Sequence, residues 1–139
     1  MIYDDNDIQS AALCAWKEAR GEGADGCAAV LHVLKNRVGS PGFAHDLHSV
    51  IYGKNQFTSM SVPSDPEFNL QPSPNDLIFA SCVTAAREIF GGDCPDPTRG
   101  AHYYANLKNV TSGWFFRNIV DNPAQHPVTA KIGRHTFFS

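Results

Sequence analysis

The sequence predicts an α+β fold that is mainly α-helical and carries a small β element near its end. Apolar residues recur at helical spacing in several segments of the first two thirds of the chain, and glycines follow these segments. The last third is rich in aromatic and turn-forming residues, and its closing segment TAKIGRHTFF alternates loosely, as a terminal strand does. With 139 residues and no evident linker, we expect one domain spanning residues 1–139.

The first helix is predicted to have Asp7 as its N-cap and to continue through IQSAALCAWKEA. Ile8 and the alanines at positions 12, 15 and 19 then share its core-facing side. Gly21 is expected to end the helix in the left-handed conformation that glycine adopts easily. Glu18 therefore lies in the last turn of this helix, and Glu22 follows just after the break.

Three further helices are predicted downstream. The second is DGCAAVLHVLKNRV, with Asp25 as its N-cap and Gly39 at its end, and a short third helix fits HDLHSVIYG. Between Ser59 and Pro74, prolines interrupt any helical period, which predicts a long ordered loop of the kind that often carries function. The fourth helix, LIFASCVTAAREIF, is expected to follow Ser73 as its N-cap and to stop at two consecutive glycines.

The charge balance argues against a nucleic-acid partner. The chain carries 11 Lys and Arg against 14 Asp and Glu, a net charge of -3, and it has no local basic run. No apolar run approaches the length of a membrane span, and the acidic N-terminal segment MIYDDNDIQS lacks the features of an export signal. We therefore expect a chain that does not insert into a membrane and is made without its own signal peptide. We also expect a monomer.

Motifs for metal binding and for nucleophilic catalysis are weak. His45 and His48 form an H-x-x-H pair, but the chain has no H-E-x-x-H sequence and no G-x-S-x-G elbow. The four cysteines include no C-x-x-C pair, and three of them fall in apolar helical patterns, which favours buried thiols over a disulfide. We expect no metal and no organic cofactor.

Glu18 is the strongest candidate for chemistry. A carboxyl group at a helix C-terminus faces the negative end of the helix dipole, which favours its protonated form. Trp16 and the later aromatic residues Phe57, Tyr103 and Tyr104 are candidates to exclude water from it, which acts in the same direction. A carboxylic acid that stays neutral near neutral pH can protonate a glycosidic oxygen. The alternative is an ordinary solvated glutamate in the last turn of a helix.

Glu22 and an aromatic cluster each allow two interpretations. Glu22 is either a second carboxyl group of a glycosidase pair or a partner for Arg20 or a backbone amide. The aromatic residues of the last third either pack in the core or stack on sugar rings in a cleft. These residues are Tyr103, Tyr104, Trp114, Phe115 and Phe116.

Four blocks in sequence order together resemble the cell-wall hydrolase family typified by the spore cortex-lytic enzyme SleB. They are EARGEGADGCAAVLHVLKNRV, VIYGKNQFTS, DPTRGAHYYAN and KIGRHTFF. The resemblance implies a lysozyme-like fold that acts on peptidoglycan, with the first glutamate of E-A-R-G-E, here Glu18, as the catalytic acid. It further implies substrate-binding residues that line the cleft, with His135 as an alternative anchor of the terminal strand. The expected substrate-binding residues are Glu22, Gln56, Phe57, Tyr103 and Tyr104.

The resemblance implies cleavage between N-acetylmuramic acid and N-acetylglucosamine. With one well-placed carboxylate, we expect a lytic transglycosylase that leaves 1,6-anhydromuramyl ends. The alternatives are a hydrolytic muramidase, an N-acetylmuramoyl-L-alanine amidase and a non-catalytic glycan-binding module. The expected partner is the glycan strand of bacterial peptidoglycan. We expect the protein to act on it in the periplasm or outside the cell. A phage endolysin held in the host cytoplasm until lysis fits a chain without a visible signal peptide.

Overall fold

A computed structural model describes residues 2–139 as a helical body with a small sheet on one side, so the predicted α+β, mainly α-helical fold class is confirmed. The helices are α1 (Asp5–Ala19), α2 (Gly23–Arg37), α3 (Leu47–Tyr52), α4 (Thr58–Ser61), α5 (Leu77–Gly91) and α6 (Gly113–Phe115). A 3-10 turn, Arg20–Glu22, joins α1 to α2, and a π-helical segment, Phe116–Val120, continues α6. The strands are β1 (Tyr103–Ala105), β2 (Val128–Ile132) and β3 (His135–Phe138).

Helix α1 begins one turn earlier than predicted, because the chain offers two acids three residues apart. The Asp4 carboxylate accepts a hydrogen bond from the Asp7 backbone N–H at 2.8 Å, and the Asp7 carboxylate accepts one from the Asp4 N–H at 3.1 Å. This reciprocal pair is a capping box, which satisfies two amide groups at once. Asp4 is therefore the N-cap, and the prediction that Asp7 holds that position is wrong.

The break between α1 and α2 also differs from the prediction. Gly21 is not left-handed, because the chain continues past Ala19 as a tight 3-10 turn. The residue that reverses the chain is Gly23, whose φ of 76° and ψ of -172° fall in a region that is essentially restricted to glycine. Helix α2 begins at Gly23, so Asp25 lies in its first turn and is not its N-cap. The predicted roles of Gly21 and Asp25 are both wrong.

Helix α3 agrees with its prediction, and helix α5 starts later than predicted. The Asp46 carboxylate caps α3 by accepting the Ser49 N–H at 2.8 Å. In α5, the Asp76 carboxylate accepts the Phe79 N–H at 2.9 Å, so Asp76 and not Ser73 is the N-cap. The carbonyl of Ser73 instead accepts the Asp76 N–H in a preceding turn. The predicted loop from Ser59 to Pro74 loses its first residues to α4 and is otherwise free of helix and strand.

The main core lies where α1, α2 and α5 pack together. Ala11, Ala12 and Ala15 of α1 are completely buried, and such small side chains allow neighbouring helices to approach closely. Larger apolar residues of α2, including Leu31 and Leu34, fill the space between the helices. The four cysteines are free thiols as expected; Cys14, Cys27 and Cys82 are buried, and Cys94 is half-buried.

The predicted terminal strand is β3, and it forms the centre of an antiparallel sheet with the order β1-β3-β2. Tyr104 of β1 lies opposite Phe137 of β3, and a bulge interrupts β2 between Val128 and Ala130. Phe137 is completely buried and packs with Ala29 of α2 in a second apolar cluster. The sheet therefore rests on α2 and directs Tyr104 towards α1.

Candidate active site

The Glu18 carboxyl group lies at the meeting point of three segments that are far apart in the sequence. Its Oε1 accepts a hydrogen bond from the Tyr104 hydroxyl at 2.6 Å, and its Oε2 accepts one from the Ser59 hydroxyl at 2.9 Å. Glu18 comes from α1, Ser59 from α4 and Tyr104 from β1. Because each oxygen has its own donor, the carboxyl group is fixed in orientation.

Of the two donors to Glu18, Ser59 is buried and Tyr104 is half-buried. Ser59 is 2% exposed. Burial, followed by the nearby charge of Glu18, raises the pKa of Tyr104 well above its usual value. The phenol therefore keeps its proton and remains a donor across the whole physiological pH range.

A buried lysine holds Ser59 and the proline-containing loop against α1. The Lys17 ammonium group donates to the Ser59 carbonyl at 3.1 Å and to the Phe68 carbonyl at 2.8 Å. Only 7% of Lys17 is exposed, and this burial lowers its pKa. Next to it, Arg20 pairs with Glu67 of the same loop. The helix that carries Glu18 thus also positions the loop beside it.

Glu18 opens onto a cleft of about 730 Å³, a size within the range of roughly 300–1,000 Å³ that is common for ligand sites. Four of the residues predicted to bind substrate line this cleft, namely Gln56, Phe57, Tyr103 and Tyr104. Its other lining residues besides Glu18 are Arg37, Gly42, Phe43, Asn55, Thr58, Trp114 and Phe115. Within residues 2–139, Glu18 is the one acidic residue that lines the cleft.

Glu22 does not line the cleft, in contrast to the prediction. Its Oε1 accepts a hydrogen bond from Arg134 Nε at 3.0 Å, and its carboxylate lies against the turn at Gly133 between β2 and β3. The reason is the 3-10 turn, which directs Glu22 towards the hairpin while Glu18 remains on the last turn of α1. Glu22 therefore ties the hairpin to the start of α2.

Arg37, at the end of α2, is a cleft residue that the sequence reasoning missed. Its guanidinium lies over the rings of Phe43 and Phe57 at 5.0 Å and over Tyr103 at 5.7 Å. The N-R-V end of the first family-like block was the signal that could have identified it. Phe43 was also missed as a cleft residue, and Ser59 was missed as a donor to Glu18, because no spacing rule connects either residue to that glutamate. Trp114, one of the aromatic residues with two open interpretations, lines the cleft.

His135 packs beside the tyrosine that holds Glu18. Its ring centroid lies 5.0 Å from that of Tyr104, and its Nδ1 is buried without a hydrogen-bond partner. Burial lowers the pKa of His135, so its ring stays neutral near pH 7. This position at the start of β3 is compatible with the expected role of an anchor for the terminal strand.

A second pocket differs from the cleft in size and in chemistry. A smaller pocket of about 210 Å³ between α2 and α5 is lined by apolar and small residues and includes no carboxyl group. In this part of the chain, no three His, Cys, Asp or Glu residues are grouped so that they could hold a metal ion. None of the described helices is both long and apolar enough to cross a bilayer.

Comparison with known proteins identifies relatives over nearly the whole chain. The family described as Cell Wall Hydrolase matches residues 21–138, a span that begins just after Glu18. The spore cortex-lytic enzyme of Halalkalibacterium halodurans is 34% identical over 136 residues, which are 97% of this chain and 35% of that protein. The Bacillus subtilis enzyme of the same name is 31% identical over 97% of this chain and 38% of its own length. The chain therefore spans less than half the length of these relatives.

Solved structures show the same fold. The crystal structure of the catalytic domain of the Bacillus cereus SleB protein matches with a TM-score of 0.74 and 32% identity, covering 99% of this chain and 93% of that one. The catalytic domain of the germination-specific lytic transglycosylase SleB from Bacillus anthracis matches with a TM-score of 0.73, also at 32% identity, over 99% of this chain and 97% of that one. These matches confirm the expected lysozyme-like fold. The chain belongs to the Cell Wall Hydrolase family.

Proposed function

We propose that this protein cleaves the glycan strands of peptidoglycan between N-acetylmuramic acid and N-acetylglucosamine as a lytic transglycosylase. The observation that carries the proposal is the Glu18 carboxyl group, held by the Tyr104 and Ser59 hydroxyls in a cleft lined by no other acid of residues 2–139. The name of the related domain from Bacillus anthracis includes the same activity. No metal or organic cofactor enters the scheme.

Glu18 acts first as an acid and then as a base. Its carboxyl proton passes to the glycosidic oxygen as the bond from that oxygen to C1 of muramic acid breaks. The 6-hydroxyl oxygen of the same sugar then forms a bond with C1, and the hydroxyl proton returns to the Glu18 carboxylate. The products are a 1,6-anhydromuramyl end and a free 4-hydroxyl on the N-acetylglucosamine.

The geometry favours capture by the sugar's own hydroxyl over hydrolysis. Glycosidases that use two carboxyl groups place both of them beside the scissile bond, about 5 to 10 Å apart. Glu22, the nearest acid along the chain after Glu18, accepts from Arg134 and is absent from the cleft lining. A muramidase that uses Glu22 is the alternative, and it would require this carboxylate to leave Arg134 and enter the cleft.

The remaining cleft residues divide into two roles in this proposal. Tyr104 is a positioning residue, because its hydroxyl is engaged by Glu18. Gln56, Phe57 and Tyr103 contribute to the wall against which the sugars lie. Trp114, which is 62% exposed on the cleft wall, offers an open aromatic face for stacking on a sugar ring.

The mass of the released muropeptides tests the reaction. Anhydro ends and reducing ends differ by one water, so mass spectrometry of digested peptidoglycan separates a transglycosylase from a muramidase. We expect anhydro ends, and reducing ends alone would replace the proposal with the muramidase. New free amino groups on L-alanine would instead indicate the amidase, and wall retention without clearing in a zymogram would indicate a binding module.

Replacement of Glu18 tests the assignment of the acid. We expect Glu18→Gln to reduce turnover by at least about 1,000-fold, because the amide cannot transfer the required proton while it retains the shape of the side chain. Glu22→Gln is the matched control, since it alters a nearby carboxyl group outside the cleft, and we expect it to retain most activity. Full activity in folded Glu18→Gln would eliminate the assignment.

We further propose that residues 1–139 form a single catalytic domain that works as a monomer on the cell wall, in the periplasm or outside the cell, without a nucleic-acid partner. A phage endolysin that reaches the wall through a membrane pore is one setting that fits. Sedimentation of the purified chain tests the monomer, and lysis of cells only after membrane permeabilisation tests the setting.

A further inference from the structure

Lys17 is a buried cation on the helix that carries Glu18, and its acceptors are two main-chain carbonyls. It is 7% exposed, and its ammonium group donates to the Ser59 carbonyl at 3.1 Å and to the Phe68 carbonyl at 2.8 Å. Among residues 2–139 it takes part in no salt bridge. Removing an ammonium group from water is unfavourable, so these two hydrogen bonds have to offset a considerable loss of hydration.

The sequence explains why the Ser59 carbonyl lacks a donor within its own helix. In an α-helix this carbonyl would accept from the N–H four residues on, and that position is Pro63, which has no N–H. The residue before a proline also favours extended backbone, and Val62, the C-cap of α4, has a φ of -112° and a ψ of 111°. Lys17 therefore replaces a donor that the chain cannot supply at position 63.

Helix α4 does not hold its own orientation. It is a single turn, Thr58–Ser61, without a side-chain cap at its N-terminus, and so short a helix is not stable alone. Phe57 and Met60 anchor the segment in the main core, but apolar contacts have no fixed direction. The hydrogen bond from Lys17 supplies the direction, because it ties a carbonyl of this turn to α1.

The residue that Lys17 holds by its backbone is also the one that donates to Glu18 through its side chain. The Ser59 hydroxyl donates to Glu18 Oε2 at 2.9 Å. Lys17 and Glu18 are consecutive residues of α1, so the backbone and the side chain of Ser59 are bound to the same turn of one helix. A displacement of α4 would distort the bond to Glu18, and hydrogen bonds weaken steeply as their geometry worsens.

We propose that Lys17 is a positioning residue for the reaction, which acts through Ser59 to orient the Glu18 carboxyl group. This inference rests on the proposed function, because it concerns how the acid of that reaction is held. Neither Lys17 nor Ser59 lines the cleft in which the sugars bind. The effect of Lys17 therefore falls on kcat and leaves KM nearly unchanged.

A double-mutant cycle on kcat tests whether Lys17 acts through the Ser59 hydroxyl. We expect Ser59→Ala to lower kcat by roughly tenfold to hundredfold, the range for a hydrogen bond to a charged group, and Lys17→Met to lower it by on the order of tenfold. In the Ser59→Ala background, Lys17→Met should lower kcat by less than about twofold, because the hydroxyl that Lys17 positions is already absent. KM should change by less than about twofold in all three variants.

The alternative is a lysine that only stabilises the proline-containing loop. Its loss would then lower kcat by the same factor with or without the Ser59 hydroxyl, and that result would overturn the inference, as would an unchanged kcat in Lys17→Met. Lys35→Met is the matched control, since Lys35 also donates to two carbonyls, those of Ile89 and Gly92, each at 2.8 Å. Lys35 lies outside the cleft lining, so we expect this variant to lower the thermal transition without changing kcat. An equal loss of kcat in the control would also contradict the role of Lys17.

A conservative variant keeps the test decisive if Lys17→Met does not fold, as its thermal transition would reveal. The same cycle is then run with Lys17→Arg, because arginine retains the charge and the donors but changes their position. We expect a smaller loss of kcat that again disappears in the Ser59→Ala background, and a loss that persists there would overturn the inference.

The activity of the unmodified protein separates this inference from the proposal beneath it. If that protein releases no fragment from peptidoglycan, the proposed function fails and the role of Lys17 fails with it. If it is active and the effects of the two substitutions multiply, the proposed function stands and the role of Lys17 alone is contradicted.

Discussion

The chemistry of this protein depends on how a single carboxyl group is held. Glu18 has a separate hydroxyl donor for each of its oxygens, and neither donor belongs to the helix that carries it. The resemblance at the E-A-R-G-E block identified the glutamate, because its place in the last turn of a helix is by itself compatible with an ordinary solvated side chain. It did not identify Ser59, since nothing in the sequence around a serine in a proline-containing segment indicates a contact across 41 positions.

Removal of the Tyr104 hydroxyl is expected to slow the reaction without unfolding the protein. Tyr104→Phe leaves Glu18 Oε1 without its donor, and a hydrogen bond to a charged group contributes about 1.5–3 kcal/mol. If that loss falls on the transition state, kcat decreases by roughly tenfold to hundredfold. Tyr103→Phe is the control, because the Tyr103 hydroxyl makes no hydrogen bond within residues 2–139. Equal kcat values for both variants would show that the Tyr104 contact does not position the acid.

At the scale of elements, the four longest helices were predictable, but the first residues of α1, α2 and α5 were not. Apolar periodicity identified α1, α2, α3 and α5, because each buries one face. The predicted boundaries were wrong where two residues suit the same position. Asp4 rather than Asp7 is the N-cap of α1, and Asp76 rather than Ser73 is the N-cap of α5. Gly23 rather than Gly21 has the positive φ between α1 and α2. The choice between two neighbouring N-cap candidates depends on the direction in which the chain enters the helix. That direction is set by packing across the whole chain. Strand β1 escaped prediction because three residues are too few to display a period.

The turn between α1 and α2 is expected to be sensitive at Gly23. Gly23→Ala places a β-carbon on a backbone with φ of 76°, and although no neighbouring atom would clash, the conformation itself costs about 1–3 kcal/mol. Gly91→Ala is the matched control, because it also meets open space but lies at the end of α5 without a positive φ. Urea unfolding should give a lower free energy of unfolding for Gly23→Ala alone. Equal values for the two variants would contradict a left-handed requirement at Gly23.

For the whole molecule, the fold brings together parts that no local pattern connects. The cleft draws residues from α1, from the segment after α3, from β1 and from α6, so its floor exists only once the sheet rests on α2. The four sequence blocks that resemble the family indicated which segments contribute to the site. They did not indicate the direction of each side chain, which depends on the fold. Glu22 illustrates the difference, since it belongs to the most recognisable block and yet faces the hairpin.

The same packing buries His32 and half-buries His102 and His135, and this makes stability depend on pH. Burial lowers the pKa of His32, His102 and His135 below the usual value of about 6.5. The unfolded chain therefore binds more protons than the folded one below that pH, and the stability present at pH 7 is lost as pH falls. Each histidine contributes up to about 1.4 kcal/mol per pH unit to the slope of the free energy of unfolding against pH.

Denaturant unfolding between pH 7.5 and 5.5 should show this decrease in the free energy of unfolding, and His32→Asn should make the decrease shallower. A free energy of unfolding that stays constant or rises towards pH 5.5 would show that these rings are not held neutral, because the carboxylates with lowered pKa, such as Asp96, lose their contribution only at lower pH.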